Sequence, residues 1–531
     1  MKGRCIHSII KNDCRKHKLF KKLALQRAPV ACVRCGTCMT FAVTQVEPTQ
    51  GEPGNTPSPP RQHLRSCETP SRMHRPDQPR EPHLSVCPRE MDLPPQPGRL
   101  LPPQSLSVRW PLALLDPRHC RGLNPDGDGL VDLTLTISGA TVTRIESLPR
   151  STGSPLPLAV PAAVEPHCHL DKAFTWSRVP NPGGTISGAL EANLQEHRSR
   201  SAAAVADRIN QALRTAWKQG YRALRSHLDL GWVGSEATLE AVTHTWDAWS
   251  DRLQLQAVAM APLELWGTAN GIDLARRLAA LGGGLGGALD HHSTQGSPWL
   301  RHLARMLRLA ADHGCIVDLH MDETCDPRSR CLEGLLDLLE QDPLPVSVTV
   351  SHGCSLAQHT PEQLRHTAAR LAALRIPLIS LPTTNLWLQD RSSSRHTPRL
   401  RGLAPIHELQ DAGVTVAVGG DNVADPWFPG GNFDPVELWR FAVPVTHLHP
   451  WEQRGLIPLT TAPAQVLGLS WDGVLRNGCP ADLILTEASS WQALLASPQR
   501  LRVLRDGLQL TGDAVAGPPG RLPFQERPGK G

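Results

Sequence analysis

Long apolar runs are missing from this 531-residue sequence, and so is the apolar core of a secretory leader at its N-terminus. A membrane-spanning helix needs about 20 consecutive apolar residues, so we expect no segment that spans a bilayer. The 14 cysteines are scattered along the chain. Without a secretory leader they are expected to be reduced thiols, which predicts a cytoplasmic protein.

A large excess of one charge is also missing, because the formal net charge is only +5. Residues 1–90 hold 16 Lys and Arg against 7 Asp and Glu, so the remainder is mildly acidic and offers no general basic face to nucleic acid. Walker, Rossmann and HExxH motifs are not found, and neither is the H-x-E with P-C-x-x-C signature of zinc nucleobase deaminases. The common nucleotide-binding and zinc-protease motifs therefore do not explain this chain.

Residues 1–104 differ in composition from the rest of the chain. They contain the triplet Cys32, Cys35 and Cys38, whose spacing is typical of metal or iron–sulfur ligation, but the sequence has no matching second cluster. Fifteen prolines lie between Pro48 and Pro103, which disfavours a packed core. We predict a disordered extension here, either a transit peptide or the product of a start codon assigned ahead of Met91, and a short tail at 518–531.

The most informative motif of the sequence lies in the stretch Val164–Trp176, VEPHCHLDKAFTW. His167 and His169 are one residue apart, so in an extended strand both imidazoles point to the same side and can bind one metal ion. The apolar run 158–164 before them predicts one buried strand that carries these ligands at its C-terminal end. In a chain with 23 histidines such a pair also arises by chance, so the interpretation depends on further ligands at other strand ends.

Strand-like and helix-like stretches alternate after Trp176. Ser235 is predicted to cap one helix. A second helix is predicted to begin at Ser297 and Pro298, with Leu300, Leu303 and Leu307 facing inward. Counting the metal strand, the predicted strands are eight: 158–164, 221–230, 253–260, 284–292, 315–320, 346–352, 376–381 and 414–418. This alternation predicts an α/β fold, a (β/α)8 TIM-like barrel whose reactive residues gather at the C-terminal ends of the strands.

Both flanks of the barrel predict strands of another kind. Segments 131–137 and 141–145 alternate apolar and polar residues around a glycine, as in a hairpin, and segments 473–486 and 500–510 are short strand-like stretches. We predict that residues 105–163 and 461–517 form one small composite β-sandwich domain, with the barrel at 164–460.

The later strand ends supply what His167 and His169 lack. The fifth predicted strand ends in His320 and the sixth in His352, and Asp421 comes after the eighth. Three imidazoles and a carboxylate suit one divalent ion, Zn²⁺ or Fe²⁺, with a position left for water. Glu323 lies three residues past His320 and can reach that water as a general acid–base.

These motifs resemble the amidohydrolase superfamily, and within it the cytosine deaminase-like branch. The matching segments are 164–174 (VEPHCHLDKAF), 320–323 (HMDE), 350–352 (VSH) and 419–429 (GGDNVADPWFP). The resemblance implies a metal-bound hydroxide that attacks an amidine-like ring carbon and releases ammonia.

The resemblance also assigns roles to residues. The metal ligands would be His167, His169, His320 and Asp421, with Glu323 as proton shuttle and His352 as the group that orients the hydroxide. Asp421 would thus serve catalysis together with Glu323 and His352. Dinuclear relatives carry a bridging lysine at the end of strand four, where this chain has residues 288–292, ALDHH. One divalent ion is therefore expected.

Two positions depart from the cytosine deaminase pattern. Leu263 occupies the place of a glutamine that reads the pyrimidine edge, and Asn422 stands where those enzymes carry a second aspartate. Loss of a designed polar contact lowers discrimination, so cytosine is expected to be a poor substrate. Trp427 could stack against a flat substrate ring, and His291 is a further candidate for substrate contact.

Three functions stay open at this point. The first is hydrolytic deamination of a nitrogen heterocycle. The second is hydrolysis of another C–N bond, as in an N-alkyl triazine or a cyclic amide, because the same ligand set serves both reactions. The third is a non-catalytic metal-binding barrel, which the presence of Glu323 and Asp421 disfavours. We expect a small heterocyclic substrate, no nucleic-acid or membrane partner, and a homo-oligomer.

Overall fold

The computed structural model describes residues 103–149, 155–391 and 396–510. The predicted N-terminal extension and the 518–531 tail lie outside these ranges, except for residues 103 and 104. No helix in the described part of the chain is both long and apolar enough to cross a membrane.

The strands number fifteen in these ranges. They are β1 (Gln104–Pro111), β2 (Leu130–Ser138), β3 (Thr141–Ser147), β4 (Ala159–Pro161), β5 (Ala163–Cys168), β6 (Tyr221–Asp229), β7 (Gln254–Met260), β8 (Gly284–Leu289), β9 (Ile316–Met321), β10 (Val348–His352), β11 (Leu378–Ser380), β12 (Val416–Val418), β13 (Leu483–Leu485), β14 (Arg502–Arg505) and β15 (Leu508–Gln509).

Thirteen α-helices accompany the strands in the described residues. They are α1 (Ile186–His197), α2 (Ala202–Gln219), α3 (Ser235–Trp249), α4 (Ala269–Ala280), α5 (Trp299–His313), α6 (Cys331–Gln341), α7 (Pro361–Ala373), α8 (Pro382–Leu388), α9 (Ile406–Asp411), α10 (Pro435–Thr446), α11 (Gln453–Leu456), α12 (Thr461–Val466) and α13 (Trp491–Ala496).

Eight parallel strands, β5 to β12, pair with their neighbours in chain order. The first and last strands meet at one end, where Cys168 bridges to Asp421 and the Asp421 N–H donates to the His167 carbonyl at 2.9 Å. The predicted (β/α)8 barrel is confirmed. Every residue of β5, β6 and β10 is buried, because side chains fill the barrel on one face and helices cover the other. Both faces of these strands are therefore buried.

A buried glutamate joins the two ends of the barrel sheet. Glu165 of β5 accepts hydrogen bonds from the Gly420 N–H at 3.0 and 3.1 Å, the His167 N–H at 3.1 Å and the Tyr221 hydroxyl at 3.2 Å. A Cβ on Gly420 would lie 2.9 Å from the Glu165 carboxylate, so only glycine leaves room for it. This contact fixes the β12 end, and with it Asp421, against β5.

The small β domain uses both flanks of the chain, as predicted. Strands β1, β2 and β3 form one antiparallel sheet, and β4 joins β13, β14 and β15 in another. Backbone hydrogen bonds link the two, for example from the Val142 N–H to the Cys479 carbonyl at 2.9 Å. Helix α12 contacts β5 and β12 of the barrel. The predicted domain boundaries stay a prediction.

The single strand predicted for residues 158–164 is wrong. Residues 159–161 form β4, which pairs antiparallel with β13 in the small domain, and a new strand, β5, begins at Ala163 beside β6. Pro161 ends the first segment, and Ala162 separates it from the first strand of the barrel. Both pieces are buried and apolar, so composition alone gives no sign of the break.

Two details of the predicted helices also need correction. Ser235 is the first residue of α3 rather than its cap, which is Gly234 in a left-handed conformation. Leu303 and Leu307 of α5 are buried as predicted, but Leu300 is 41% exposed. The helix begins at Trp299, and Leu300 in its first turn lies beyond the layer that covers the barrel.

Candidate active site

Four side chains converge where the first, fifth and eighth barrel strands end. We call His167, His169, His320 and Asp421 the His–Asp centre. The Nε2 atom of His169 lies 3.2 Å from Asp421 Oδ1 and 3.3 Å from His320 Nε2, and His167 Nε2 lies 3.6 Å from Asp421 Oδ1. None of the four residues is more than 6% exposed. The sequence placed these residues at separate strand ends, and the closed barrel brings them together.

The donor atoms of this centre fit a divalent cation. Both Asp421 oxygens and His167 Nε2 are buried without a hydrogen-bond partner in the described part of the chain, which is costly unless something else binds them. Burial lowers the pKa of His167 and His320 well below the ordinary histidine value, and the surrounding histidines lower it further. Both rings are therefore neutral, with lone pairs available to a metal. One group of possible ligands is His167, His169 and Asp421.

Outer contacts orient the two histidines of β5. His167 Nδ1 lies 2.8 Å from Ser351 Oγ, which donates to Asp318 at 2.9 Å, and His169 Nδ1 lies 3.0 Å from the His227 carbonyl. In each ring the Nδ1 atom is held by a neighbour, so Nε2 faces the centre. Such second contacts fix ring orientation in metal sites and raise ligand basicity.

His227, on β6, packs beside the His–Asp centre, although no role was predicted for it. Its ring stacks on His167 with centroids 3.9 Å apart, and its Nε2 lies 3.4 Å from Asp318 Oδ1. It forms a second group of possible metal ligands with His167 and His320. The available signal was its place near the end of the second predicted strand, where it could have been grouped with the other strand-end histidines.

Glu323 and His352 lie beside the centre. The Glu323 Oε1 atom is 3.4 Å from His352 Nδ1. Burial raises the pKa of Glu323 well above its ordinary value, and the charges of Asp421 and Asp290 raise it further. Burial also lowers the pKa of His352 to about 4. A carboxyl group with a raised pKa is suited to taking up and returning a proton near neutral pH, whereas His352 is held neutral.

Three residues of the site have left-handed backbones. The φ angles are +54° at Asp322, +73° at His352 and +60° at Asp421. A non-glycine residue in this region costs roughly 1–3 kcal/mol and is typical of functional sites. Asp322 is held there by its carboxylate, which accepts hydrogen bonds from Ser329 Oγ at 2.7 Å and from two N–H groups at the start of α6. These left-handed conformations turn the chain sharply at the ends of β9, β10 and β12. The turn after β9 directs Glu323 towards the His–Asp centre.

The four predicted substrate contacts have different surroundings. Leu263 is 7% exposed in a short 3-10 helix after β7 and belongs to the hydrophobic core cluster. The Asn422 amide donates to Asp425 at 2.8 Å. The Trp427 ring lies 5.4 Å from the Lys172 ammonium, and the His291 ring lies 2.9 Å from the Gln295 amide. Their contact with substrate stays a prediction.

A buried cluster of ion pairs adjoins the His–Asp centre, and the sequence did not reveal it. We call it the ion-pair cluster; its members are Asp171, Lys172, Glu196, Arg200, Arg208 and Asp229. Lys172 Nζ contacts the two Asp229 oxygens at 3.2 and 3.3 Å, and Arg200 contacts Asp171 at 2.7 Å. Burial opposes the charged form of Lys172, but the carboxylates of Asp229 and Asp171 outweigh it and raise the pKa of the ammonium.

A cavity of about 300 Å³ lies beside Asp421, on the side of α10. Its walls include Glu165, Tyr221, Phe433 and Phe441, together with Asp421 itself. Glu323 and the histidines of the centre do not line it. It therefore lies next to the candidate active site rather than within it.

Known proteins match most of the described chain. A family model described as "Amidohydrolase family" matches residues 184–507. The pterin deaminase of Rhizobium rhizogenes (strain K84) is 36% identical over 397 residues, which cover 72% of this chain and 89% of that protein. The N-isopropylammelide isopropyl amidohydrolase of Pseudomonas sp. (strain ADP) is 24% identical, over 73% of this chain and 93% of that protein.

Solved structures have the same fold. The 5-methylcytosine deaminase from Klebsiella pneumoniae in complex with phosphonocytosine superposes with a TM-score of 0.65 at 25% identity, over 80% of this chain and 100% of that one. The same enzyme with 5-fluorocytosine gives a TM-score of 0.64 at 26% identity, over 75% and 96% of the two chains.

Proposed function

Because the chain belongs to the amidohydrolase family and is a hydrolase of carbon–nitrogen bonds other than peptide bonds, we propose that it hydrolytically deaminates a pterin-type ring. A pterin carries an amino group on an amidine-like carbon between two ring nitrogens. Addition of water to that carbon and loss of ammonia leave a ring carbonyl in place of the amino group.

One observation carries the choice of ring. The similarity to a pterin deaminase, at 36% identity, covers 89% of that protein and is higher than the 24% identity to the N-isopropylammelide hydrolase. The side chain at position 263 agrees with this choice, because a leucine cannot make the hydrogen bond with which the cytosine enzymes read a pyrimidine.

The His–Asp centre would hold one divalent ion, Zn²⁺ or Fe²⁺, through His167, His169, His320 and Asp421. When bound, such an ion lowers the pKa of a coordinated water towards about 7 and so supplies a nucleophile at neutral pH. Zinc and iron both accept imidazole and carboxylate ligands, so this donor set leaves the two as alternatives.

Glu323 and His352 would divide the proton chemistry. Glu323, whose pKa is raised by burial, takes a proton as water adds to the ring carbon and returns it to the substrate, so that the amino group leaves as ammonia. His352 stays neutral and donates a hydrogen bond to the oxygen that adds to the ring. Trp427 and Asn422 would contact the ring itself, and His291 would lie at the edge of the site.

A second candidate substrate is a cytosine-type pyrimidine. It is favoured by the superposition on the 5-methylcytosine deaminase at 25–26% identity. The two candidates share the leaving group and the residues proposed to remove it. They differ in ring size and in the polar edge that positions 263 and 422 would meet.

An ammonia-release assay of purified protein tests the proposal, with pterin, cytosine and 5-methylcytosine offered at equal concentration and N-isopropylammelide assayed for amine release. We expect ammonia from pterin, with kcat/KM at least tenfold above that for either pyrimidine. Turnover of N-isopropylammelide to isopropylamine, with no ammonia from any ring, would replace deamination by the other C–N hydrolysis.

The proposal includes a cellular location and an oligomeric state. The seven cysteines in the described residues are all free thiols, in agreement with the cytoplasmic location that we propose. We also propose that the active protein is a homo-oligomer, which light scattering of the purified protein would test.

A further inference from the structure

Asn385 contacts both residues to which we assign the proton chemistry. It lies on α8, the short helix after the seventh barrel strand, and is completely buried. Its Nδ2 atom is 3.1 Å from Glu323 Oε1 and 3.0 Å from His352 Nδ1. One amide nitrogen carries two hydrogens. A carboxylate oxygen and a ring nitrogen, each able to accept one of them, lie within reach.

The orientation of this amide is set by its neighbours. In the proposed reaction Glu323 takes up a proton, so it starts as a carboxylate, which only accepts hydrogen bonds. In that state the nitrogen of Asn385, and not its oxygen, faces Glu323 Oε1, at 3.1 Å. Rotating the amide by 180° would place Oδ1 against the carboxylate and against the His352 ring. The same nitrogen therefore faces His352 Nδ1, and that ring atom must be an acceptor.

A neutral imidazole has one donor and one acceptor nitrogen. If His352 Nδ1 accepts from Asn385, the proton of the ring is on Nε2. The Nε2 atom is buried and has no partner among the described residues, while the ring lies 4.8 Å from that of His320, centroid to centroid. The free N–H is thus at the edge of the His–Asp centre.

We propose that Asn385 is a positioning residue that fixes His352 in the tautomer protonated at Nε2 and holds Glu323 beside it. The consequence is a division of labour that rests on the proposed function. His352 can donate a hydrogen bond at the reacting carbon but cannot accept a proton there, so Glu323 alone carries protons.

Further contacts hold the helix that carries Asn385. The Gln389 amide, just past α8, donates to the Glu323 carbonyl at 3.0 Å, and the Thr383 hydroxyl donates to the Gly420 carbonyl at 2.9 Å. Asn385 is thus tied to the loop after β9 on one side and to the loop after β12 on the other. These ties keep the donor in place without any substrate.

The first test measures the tautomer itself. Protein labelled with ¹⁵N-histidine and loaded with Zn²⁺ is studied by NMR, and the His352 signals are assigned by their loss in H352Q. We expect a proton on Nε2 in the wild type. In N385D the new carboxylate requires a donor, so the proton should move to Nδ1. A wild-type proton on Nδ1, or the same tautomer in both proteins, would overturn the proposal.

The second test measures turnover of pterin. We expect N385D to lower kcat by roughly 10²-fold, the lower end of what a positioned acid–base contributes, with KM changed less than threefold and zinc content unchanged. The matched control is N181D, because Asn181 is buried and its Nδ2 also donates twice, to the carbonyls of Thr185 and Pro426. An equal fall of kcat in N181D would mean that any buried asparagine has this effect.

A double-mutant comparison shows whether Asn385 acts through its two partners. We expect N385A to cost at least tenfold in kcat in the wild type but less than threefold in H352A or E323Q, because residues in one network are not additive. Full additivity in both backgrounds would refute the proposed route. If the wild type deaminates no ring at all, the proposed function fails, while the NMR experiment still decides the tautomer.

Discussion

Two buried polar clusters lie side by side at the same end of the barrel, and they differ in how their charges are matched. In the ion-pair cluster each of the three carboxylates lies within 3.2 Å of a cationic side chain. In the His–Asp centre neither oxygen of the single carboxylate has a hydrogen-bond partner within the described ranges, and two imidazole nitrogens face each other at 3.3 Å. The ion-pair cluster matches three carboxylates with three cationic side chains, although Asp171 Oδ1 and Arg200 Nη2 also lack a hydrogen-bond partner among the described residues. The His–Asp centre has one carboxylate and no lysine or arginine.

This difference separates scaffolding from chemistry. A buried polar atom without a partner costs about 1–3 kcal/mol, so a fold retains several such atoms in one place only when something else binds them. The ion-pair cluster has already matched its charges and can support the loop after β5. The His–Asp centre, by contrast, has the composition and the unpartnered atoms of a ligand site. The comparison therefore predicts opposite responses to substitution in the two clusters.

The largest effect is expected from H169A. This change removes one of four donors from the His–Asp centre, so the metal should be lost and turnover should fall to the background rate. Elemental analysis should give about one divalent ion per wild-type chain and far less in H169A. H352A is the matched control, because His352 is not among the proposed ligands, and it should retain most of its metal. Two ions per chain, both required for activity, would contradict a single site.

E323Q should have the next largest effect. Glutamine keeps the size of the side chain and can still accept from Asn385, but it cannot carry a proton. A positioned acid–base typically contributes about 10²–10⁴-fold, so kcat should fall at least 10²-fold while metal content stays the same. This result would show that Glu323 acts in the reaction and is not a metal ligand. Near-normal turnover would remove Glu323 from the mechanism.

The sequence identified the His–Asp centre because each member sits at the end of a strand-like segment. In a closed parallel barrel those strand ends lie on one face, so residues far apart along the chain are expected to lie close together in space. His320 and Asp421 were thus expected beside His167 and His169 without any contact being known.

The ion-pair cluster and Asn385 could not be identified in the same way. Asp171 and Arg200 lie 29 positions apart, and only the packing of α1 against the loop after β5 joins them. Asn385 is in a helix that begins two residues after its strand, and nothing in its local sequence marks it as a partner of Glu323. The break between β4 and β5 was missed because residues 159–164, on both sides of it, are all apolar and buried.

D229N should test the other side of the comparison. Asp229 accepts from Lys172, from Asn193 at 2.8 Å and from His197 at 3.2 Å. Removing its charge leaves a buried ammonium without its counter-ion, a change that typically costs about 3–5 kcal/mol. The free energy of unfolding from denaturant titration should fall by that order, while the folded fraction keeps its metal.

A surface ion pair is the control for D229N. Arg308 and Asp342 lie 3.0 Å apart, with side chains 61% and 51% exposed. Such pairs contribute about 0–1 kcal/mol, so D342N should change the free energy of unfolding by less than about 1 kcal/mol. If D229N lost metal without loss of stability, the two clusters would form one functional unit and the distinction between them would fail.

The smallest effect is expected at the substrate edge, where neither cluster decides the outcome. L263Q introduces a hydrogen-bonding group where the cytosine deaminases carry one, and a new hydrogen bond contributes about 1 kcal/mol. The kcat/KM for cytosine should therefore rise roughly fivefold relative to pterin. Adding N422D should reduce that gain, because Asn422 donates to Asp425 at 2.8 Å and the substitution would set two carboxylates against each other. If L263Q leaves the ratio of kcat/KM for the two substrates unchanged, Leu263 serves core packing, in keeping with its burial against β8. Specificity must then be sought at Asn422 and Trp427.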